Sequence, residues 1–151
     1  LGRNPMVPQY RNLLAEIYRR QIPIRWVWSG QQIGPFTVLH PPADQTAAGR
    51  VQNDDSVVLK LEIDGTTVLL TGDLERSIPI QGPIDVLKIP HHGSKNTRLV
   101  VQARIPIVSV GASNPFGHPH PSKLPALRTD ILGAIQIVLV PGQPIVTFPG
   151  L

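Results

Sequence analysis

The sequence predicts an α+β fold, and three observations carry that expectation. One amphipathic helix opens the chain. A strand hairpin with a strong turn signal sits in its middle. Apolar strands then alternate with polar, Pro- and Gly-containing connections. The length, 151 residues, suits one domain or part of one and is enough to bury a core.

The first element is a helix beginning near Pro8, a residue suited to a first helical turn. Tyr10, Leu13, Leu14, Ile17 and Tyr18 recur at helical spacing and form one apolar stripe. Arg19 and Arg20 fall where the helix dipole favours cations. A strand is expected over 24–28, a turn at Ser29-Gly30 and a second strand over 36–39, before a loop over 43–52. Val57, Leu59, Leu61 and Ile63 then alternate with Val58, Lys60 and Glu62. Asp64-Gly65 signals a tight hairpin turn, and 66–71 returns as an apolar strand. Buried strands are expected over 85–89 and 106–110, short helices over 96–103 and 122–128, and a closing strand pair over 134–140 and 144–148. No internal repeat, linker or low-complexity block interrupts this order.

Composition narrows the function classes. Lys and Arg total 14 against 10 Asp and Glu, a net charge of +4. Charged residues make up only 16% and hydrophobic residues 41%, which is unlike a disordered charged tail. No apolar run is long enough to span a bilayer, and no signal-peptide pattern opens the chain. Cysteine is absent, which excludes disulfides, Cys-ligated zinc and Cys nucleophiles. The 17 prolines are about twice the usual share near 5% and fix many loops in non-helical geometry. The first residue is Leu1, which suggests a fragment or a processed product.

Three polar segments follow three apolar strands: Thr71-Gly72-Asp73, Pro90-His91-His92-Gly93-Ser94, and 111–121 with Asn114, His118 and His120. Loops at strand C-terminal ends are where layered folds build sites. Four of the five His lie in the last two of these loops. Without Cys, His and carboxylates are the ligands available to Zn, Mn or Fe. Asp73 reads either as a cap for a turn or a helix from Leu74, or as a carboxylate bridging two metal ions. His91-His92 reads as a loop cap beside an exposed ring, or as a positioned ligand in a turn fixed by Pro90 and Gly93. His118-Pro119-His120 reads as a Pro-stiffened surface loop, or as a general acid or phosphate contact. Residues 53–56 read as a turn leading into a strand, or as a segment that orients or replaces a metal ligand. His40 reads as structural, and Trp26, Trp28 and Phe36 as core or sheet-face residues. Arg3, Arg11, Arg19, Arg20 and Arg25 read as a solvated basic face whose density allows a contribution to polyanion binding.

The ordered motifs resemble a known family. They are Asn53-Asp54-Asp55-Ser56-Val57-Val58-Leu59, Leu69-Leu70-Thr71-Gly72-Asp73-Leu74-Glu75 and Asp85-Val86-Leu87-Lys88-Ile89-Pro90-His91-His92-Gly93-Ser94. Ser109-Val110-Gly111, Asn114, Gly117-His118-Pro119-His120-Pro121 and Arg128-Thr129-Asp130 with Gly133-Ala134-Ile135 extend the series. Together, over roughly 9–138, they resemble the metallo-β-lactamase-like domain of ComEC-type competence proteins. The resemblance implies an αβ/βα sandwich with a two-metal site and phosphodiester hydrolysis of DNA during uptake. It implies Asp73 as the bridging carboxylate, His92 or His91 as a late metal ligand, and His118 and His120 in proton transfer or substrate contact. Ser94, Lys95 and Asn114 are then candidate substrate-binding residues, with Lys95 equally readable as solvated. The cofactors implied are two divalent ions, Mn or Zn. The partners implied are DNA and the remainder of a membrane channel protein of the bacterial inner membrane, this domain lying on its extracytoplasmic side.

One departure limits that expectation. The superfamily's His-x-His-x-Asp-His motif is absent, and so is its mid-domain Gly-His, whose place is near Gln52-Asn53. His118-Pro119-His120 does not substitute, because Ser122 stands where the Asp belongs. The whole chain, 1–151, therefore reads as the C-terminal portion of such a domain. Weak metal affinity, with partial or no occupancy, and little activity are expected of it alone. Two other classes stay open: a non-catalytic nucleic-acid-binding or scaffold domain, and a small-molecule metallohydrolase.

Overall fold

The computed structural model describes residues 8–44, 53–141 and 143–148. Most of the loop expected over 43–52, and Arg3 of the basic face, lie outside them. The elements are helix α1 (Pro8–Arg19), strands β1 (Gln32–Ile33), β2 (Phe36–His40), β3 (Val58–Ile63), β4 (Thr66–Leu70), β5 (Ile84–Lys88), β6 (Ala103–Val108) and β7 (Leu127–Arg128), helix α2 (Thr129–Leu132), and strands β8 (Gln136–Val140) and β9 (Gln143–Thr147). Strands β1 to β7 form one mixed sheet in chain order, and β8 and β9 form a separate antiparallel pair. The architecture is α+β.

The hairpin β3–β4 forms as its alternation predicts, in the register Leu59↔Leu70 to Ile63↔Thr66. Its two turn residues, Asp64 and Gly65, both take positive φ (49° and 76°), the geometry that makes Asp-Gly a hairpin turn. From β4 onward the pairing becomes parallel. That switch positions the site. In parallel strands the C-terminal ends share one edge, and here Leu70 pairs Lys88 and Lys88 pairs Ile107. The segments leaving β4, β5 and β6 therefore start side by side. Antiparallel β3 brings its N-terminal end, just after Ser56, to the same edge.

The core lies on the sheet and is built from Val58, Leu69, Leu74, Ile84, Leu87, Ile89, Val108 and Val110. Leu69 is completely buried, a contribution of about 2–3 kcal/mol from apolar burial.

Several expected elements differ. Residues 24–28 form no strand; both backbone polar groups of Trp28 are instead taken by Gln31, in the turn that precedes β1. Trp26 and Trp28 are correspondingly exposed rather than in the core. No helix forms over 96–103. Thr97, Val100 and Val101 are β-branched and disfavour one, Arg98 N–H instead donates to the Glu75 carbonyl, and Ala103 begins β6. Over 122–128, Pro121 and Pro125 leave room for a single 3-10 turn, Pro121–Lys123. Helix α1 forms as predicted, but none of its residues is buried, and Leu13 and Tyr18 of the stripe are exposed. Its ordering is local, through Glu16 paired with both Arg19 and Arg20. No helix among the described residues is long and apolar enough to cross a membrane.

Candidate metal centre

The turn after β4 holds Asp73. Gly72 takes φ +56°, and a Cβ there would lie 2.9 Å from Ser56 Cβ, so the close approach of the two segments requires glycine. That approach lets the Asp73 N–H donate to Ser56 Oγ at 2.9 Å. The Gly72 carbonyl accepts from the His91 N–H at 3.1 Å and from Lys88 Nζ at 3.0 Å. Burial pushes the Lys88 ammonium below its usual range, and the Asp73 carboxylate partly offsets this. Asp73 does not cap a helix, since 74–80 is irregular.

Residues 53–56 brace the same turn. Asp54 Oδ1 accepts the N–H groups of Glu75 and Arg76 at 2.9 and 2.7 Å, and its other oxygen pairs with Arg76. The Asn53 amide donates to Glu75 Oε1 and lies 3.4 Å from His91 Nδ1. The segment thus orients the candidate ligand loops. Nothing in the local sequence marks Ser56 as the residue that receives the Asp73 N–H, 17 residues away. His40 is buried in β2 with Nδ1 2.9 Å from the Ser56 carbonyl.

The loop after β5 presents both histidines from left-handed backbone, His91 at φ 48° and His92 at φ 52°. Two adjacent non-glycine residues in this region are uncommon and cluster at functional sites. The rings diverge. His92 Nδ1 donates to the Ser109 carbonyl at 2.7 Å, which leaves Nε2 as the atom facing Asp73 Oδ1 at 3.9 Å. His91 Nδ1 instead lies 3.0 Å from Glu75 Oε1.

Gly93 joins this loop to the third. A Cβ on it would sit 2.5 Å from Pro119 Cβ, and its carbonyl accepts the His120 N–H at 2.8 Å. His118 thereby comes to 5.7 Å from His91, ring to ring. Burial first, then the neighbouring His91 and His92, hold the His118 imidazolium below its usual range. His120 Nδ1 accepts the Ser122 N–H, which places its proton on Nε2. A cleft of about 450 Å³ opens between the loops, with His91, Ser94, Lys95 and Asn96 on one side and Phe116 to His118 and His120 on the other. Ser94 is buried, and its hydroxyl accepts the Asn96 N–H. Lys95 is exposed on the rim. Asn114 Oδ1 accepts the Phe116 N–H at 2.8 Å. The Thr129 hydroxyl pins the third loop by bonding both polar groups of the Val110 backbone at 2.8 Å.

The donor set decides how far these residues suit a divalent ion. Bonds of about 2.0–2.2 Å to each ligand separate two ligand atoms by about 3–4 Å. The 3.9 Å between His92 Nε2 and Asp73 Oδ1 meets that requirement. A backbone carbonyl on the remote ring nitrogen is the usual partner of a ligating histidine. Among the described residues, however, no group of three or more His, Asp or Glu converges. The pair fits one corner of a metal site and does not complete one.

No protein-family model matches the chain. No solved structure matches it. Two curated proteins do. ComE operon protein 3 of Bacillus subtilis is 36% identical over 121 residues, covering 67% of this chain and 15% of that protein. Recombination protein 2 of Haemophilus influenzae is 34% identical over 133 residues, covering 82% of this chain and 16% of that protein. The chain is therefore similar to one segment, about a sixth of the length, of each of these two relatives.

Proposed function

We propose that the chain is the C-terminal portion of a metallo-β-lactamase-like domain in a DNA-uptake protein of the competence type, and that it contributes Asp73 and His92 to a divalent-metal phosphodiesterase site. The observation that carries this reading is the facing pair, Asp73 Oδ1 and His92 Nε2, 3.9 Å apart at the edge where the sheet turns parallel. The similarity to ComE operon protein 3 and Recombination protein 2 supports the setting. A divalent ion held there supplies Lewis-acid charge to a phosphate oxygen.

The chain's own residues then have distinct duties. Ser56, Lys88 and Asp54 hold the Asp73 turn. The Ser109 carbonyl fixes the His92 tautomer. His118, held below the ordinary histidine range by burial and then by His91 and His92, lines the cleft as a candidate for proton transfer or substrate contact. His120, with Nδ1 engaged by Ser122, keeps Nε2 for proton transfer or substrate contact. Lys95, on the rim, offers charge to a neighbouring phosphate. The parent protein belongs to the inner membrane in this reading, with this domain on the extracytoplasmic side and the remaining ligands in the His-x-His-x-Asp-His half.

The test is cleavage of a labelled DNA strand in Mn²⁺. The chain alone is expected to cleave slowly or not at all. A polypeptide that restores the N-terminal half is expected to cleave, and to lose activity on Asp73→Ala, on His92→Ala and with chelator. Cleavage that survives Asp73→Ala overturns the reading. The two-donor count favours one second reading, strand binding without catalysis. In that case binding falls steeply with salt and ignores chelator.

A further inference from the structure

We propose that Phe116 is a stacking platform for an unpaired nucleobase at the mouth of the cleft. Phe116 is 78% exposed, yet both its backbone N–H and its ring have partners. Its ring stacks on His118, with centroids 6.1 Å apart and planes inclined by 24°, an offset-stacked arrangement. Its N–H is held by Asn114 Oδ1. The imidazole thus supports one ring face, and the ring forms part of the lining of the 450 Å³ cleft. A cleft of that size falls in the range that receives a small ligand or one nucleotide unit.

The ligand class follows from the chemistry of the rim. A flat apolar ring stacks on any base, because every base has a π face. Inside a duplex those faces are covered by neighbouring pairs, so Phe116 can reach only a base that is unpaired or splayed out. Lys95, exposed and part of the same lining, supplies the positive charge that a backbone phosphate needs. Ring and ammonium together match a single strand, with a base on Phe116 and an adjoining phosphate toward Lys95. The inference rests on the phosphodiesterase reading only for naming a strand as the ligand; the stacking itself needs no metal.

Binding in EDTA tests it, with fluorescence anisotropy of the 151-residue chain on three probes. These are an oligothymidylate, the same strand hybridised to its complement, and a strand of equal length with abasic sites. Phe116→Ala is expected to weaken oligothymidylate binding about tenfold, the scale of one lost base stack. Phe116→Trp is expected to retain it. The abasic strand is expected to bind wild type as weakly as oligothymidylate binds Phe116→Ala, with no further loss on that variant. Duplex binding is expected to be unchanged. Because the position is exposed, circular dichroism of both variants is expected to match wild type. Equal losses on all three probes, no loss on oligothymidylate, or no strand binding by the wild-type chain would each overturn the proposal. A strand that stacks on Phe116 but is not cleaved in Mn²⁺ by the polypeptide that restores the N-terminal half refutes the phosphodiesterase reading and leaves this inference standing.

Discussion

Gly72→Ala tests the architecture of the Asp73 turn. The residue sits at φ +56°, where an L side chain costs about 1–2 kcal/mol. The new Cβ would meet Ser56 Cβ at 2.9 Å and Oγ at 3.0 Å. Ser56 must then move and release the Asp73 N–H, a bond worth about 1 kcal/mol. The sum is about 2–3 kcal/mol. At this chain length each kcal/mol lowers the melting temperature by about 2–4 °C, so a fall of about 4–12 °C is expected. Thermal and urea unfolding followed by circular dichroism measure it. Ser56→Ala, which loses only the bond, should cost about 1 kcal/mol. The double variant Ser56→Gly with Gly72→Ala removes the collision and loses the bond once, so its cost should fall short of the sum of Ser56→Gly alone and Gly72→Ala alone by at least about 0.5 kcal/mol. A Gly72→Ala cost below about 0.5 kcal/mol, the range of an ordinary surface change, would mean that the turn does not need glycine at this position. Strict additivity would refute the collision with Ser56.

Asp54 gives a pH prediction. Burial alone would raise its pKa, but the N–H groups of Arg76 and Glu75 and the Arg76 guanidinium outweigh it and hold the carboxyl below the ordinary range. A carboxyl depressed in the fold adds stability above its unfolded value, near 3.9, and that stability is lost as pH falls through the folded value. Urea midpoints of wild type and Asp54→Asn should therefore differ at pH 7 and converge in acid; a constant gap would contradict this. Lys88→Met keeps the side-chain stem but removes the donor to the Gly72 carbonyl, and should lower stability by about 1 kcal/mol at pH 7. An unchanged midpoint would mean that burying the ammonium costs as much as its bonds return.

What the sequence made legible was local. The β3–β4 hairpin and the β8–β9 pair rest on period-two alternation and short turns, which are readable within a few residues. Asp73, His91, His92, His118 and His120 stand out as polar residues just past apolar strands. The bracing of those residues was not legible, because it is made across the chain. Ser56 reaches Asp73 over 17 residues, and Asn53 reaches His91 over 38. The helices expected over 96–103 and 122–128 failed because long-range pairing and proline punctuation overrode a weak local pattern. Which of the two adjacent histidines faces Asp73 depends on consecutive left-handed residues, a backbone state that a His-His-Gly string does not announce. Phe116 carried no periodic signal either, and its exposure and stacking emerge only from the folded loop.

Asp73 and His92 are proposed to form a two-donor corner of a metal site. Calorimetric titration of Mn²⁺ and Zn²⁺ into the chain, wild type against Asp73→Ala, His92→Ala and His91→Ala, tests it most directly. Weak, saturable binding is expected, which Asp73→Ala and His92→Ala each reduce by more than about tenfold, at least the scale of losing a supporting contact to a ligand. With its Nδ1 turned to Glu75, His91 should be dispensable, and His91→Ala should leave binding nearly unchanged. Binding abolished by His91→Ala but spared by His92→Ala, or tight binding indifferent to Asp73→Ala, would contradict the proposal.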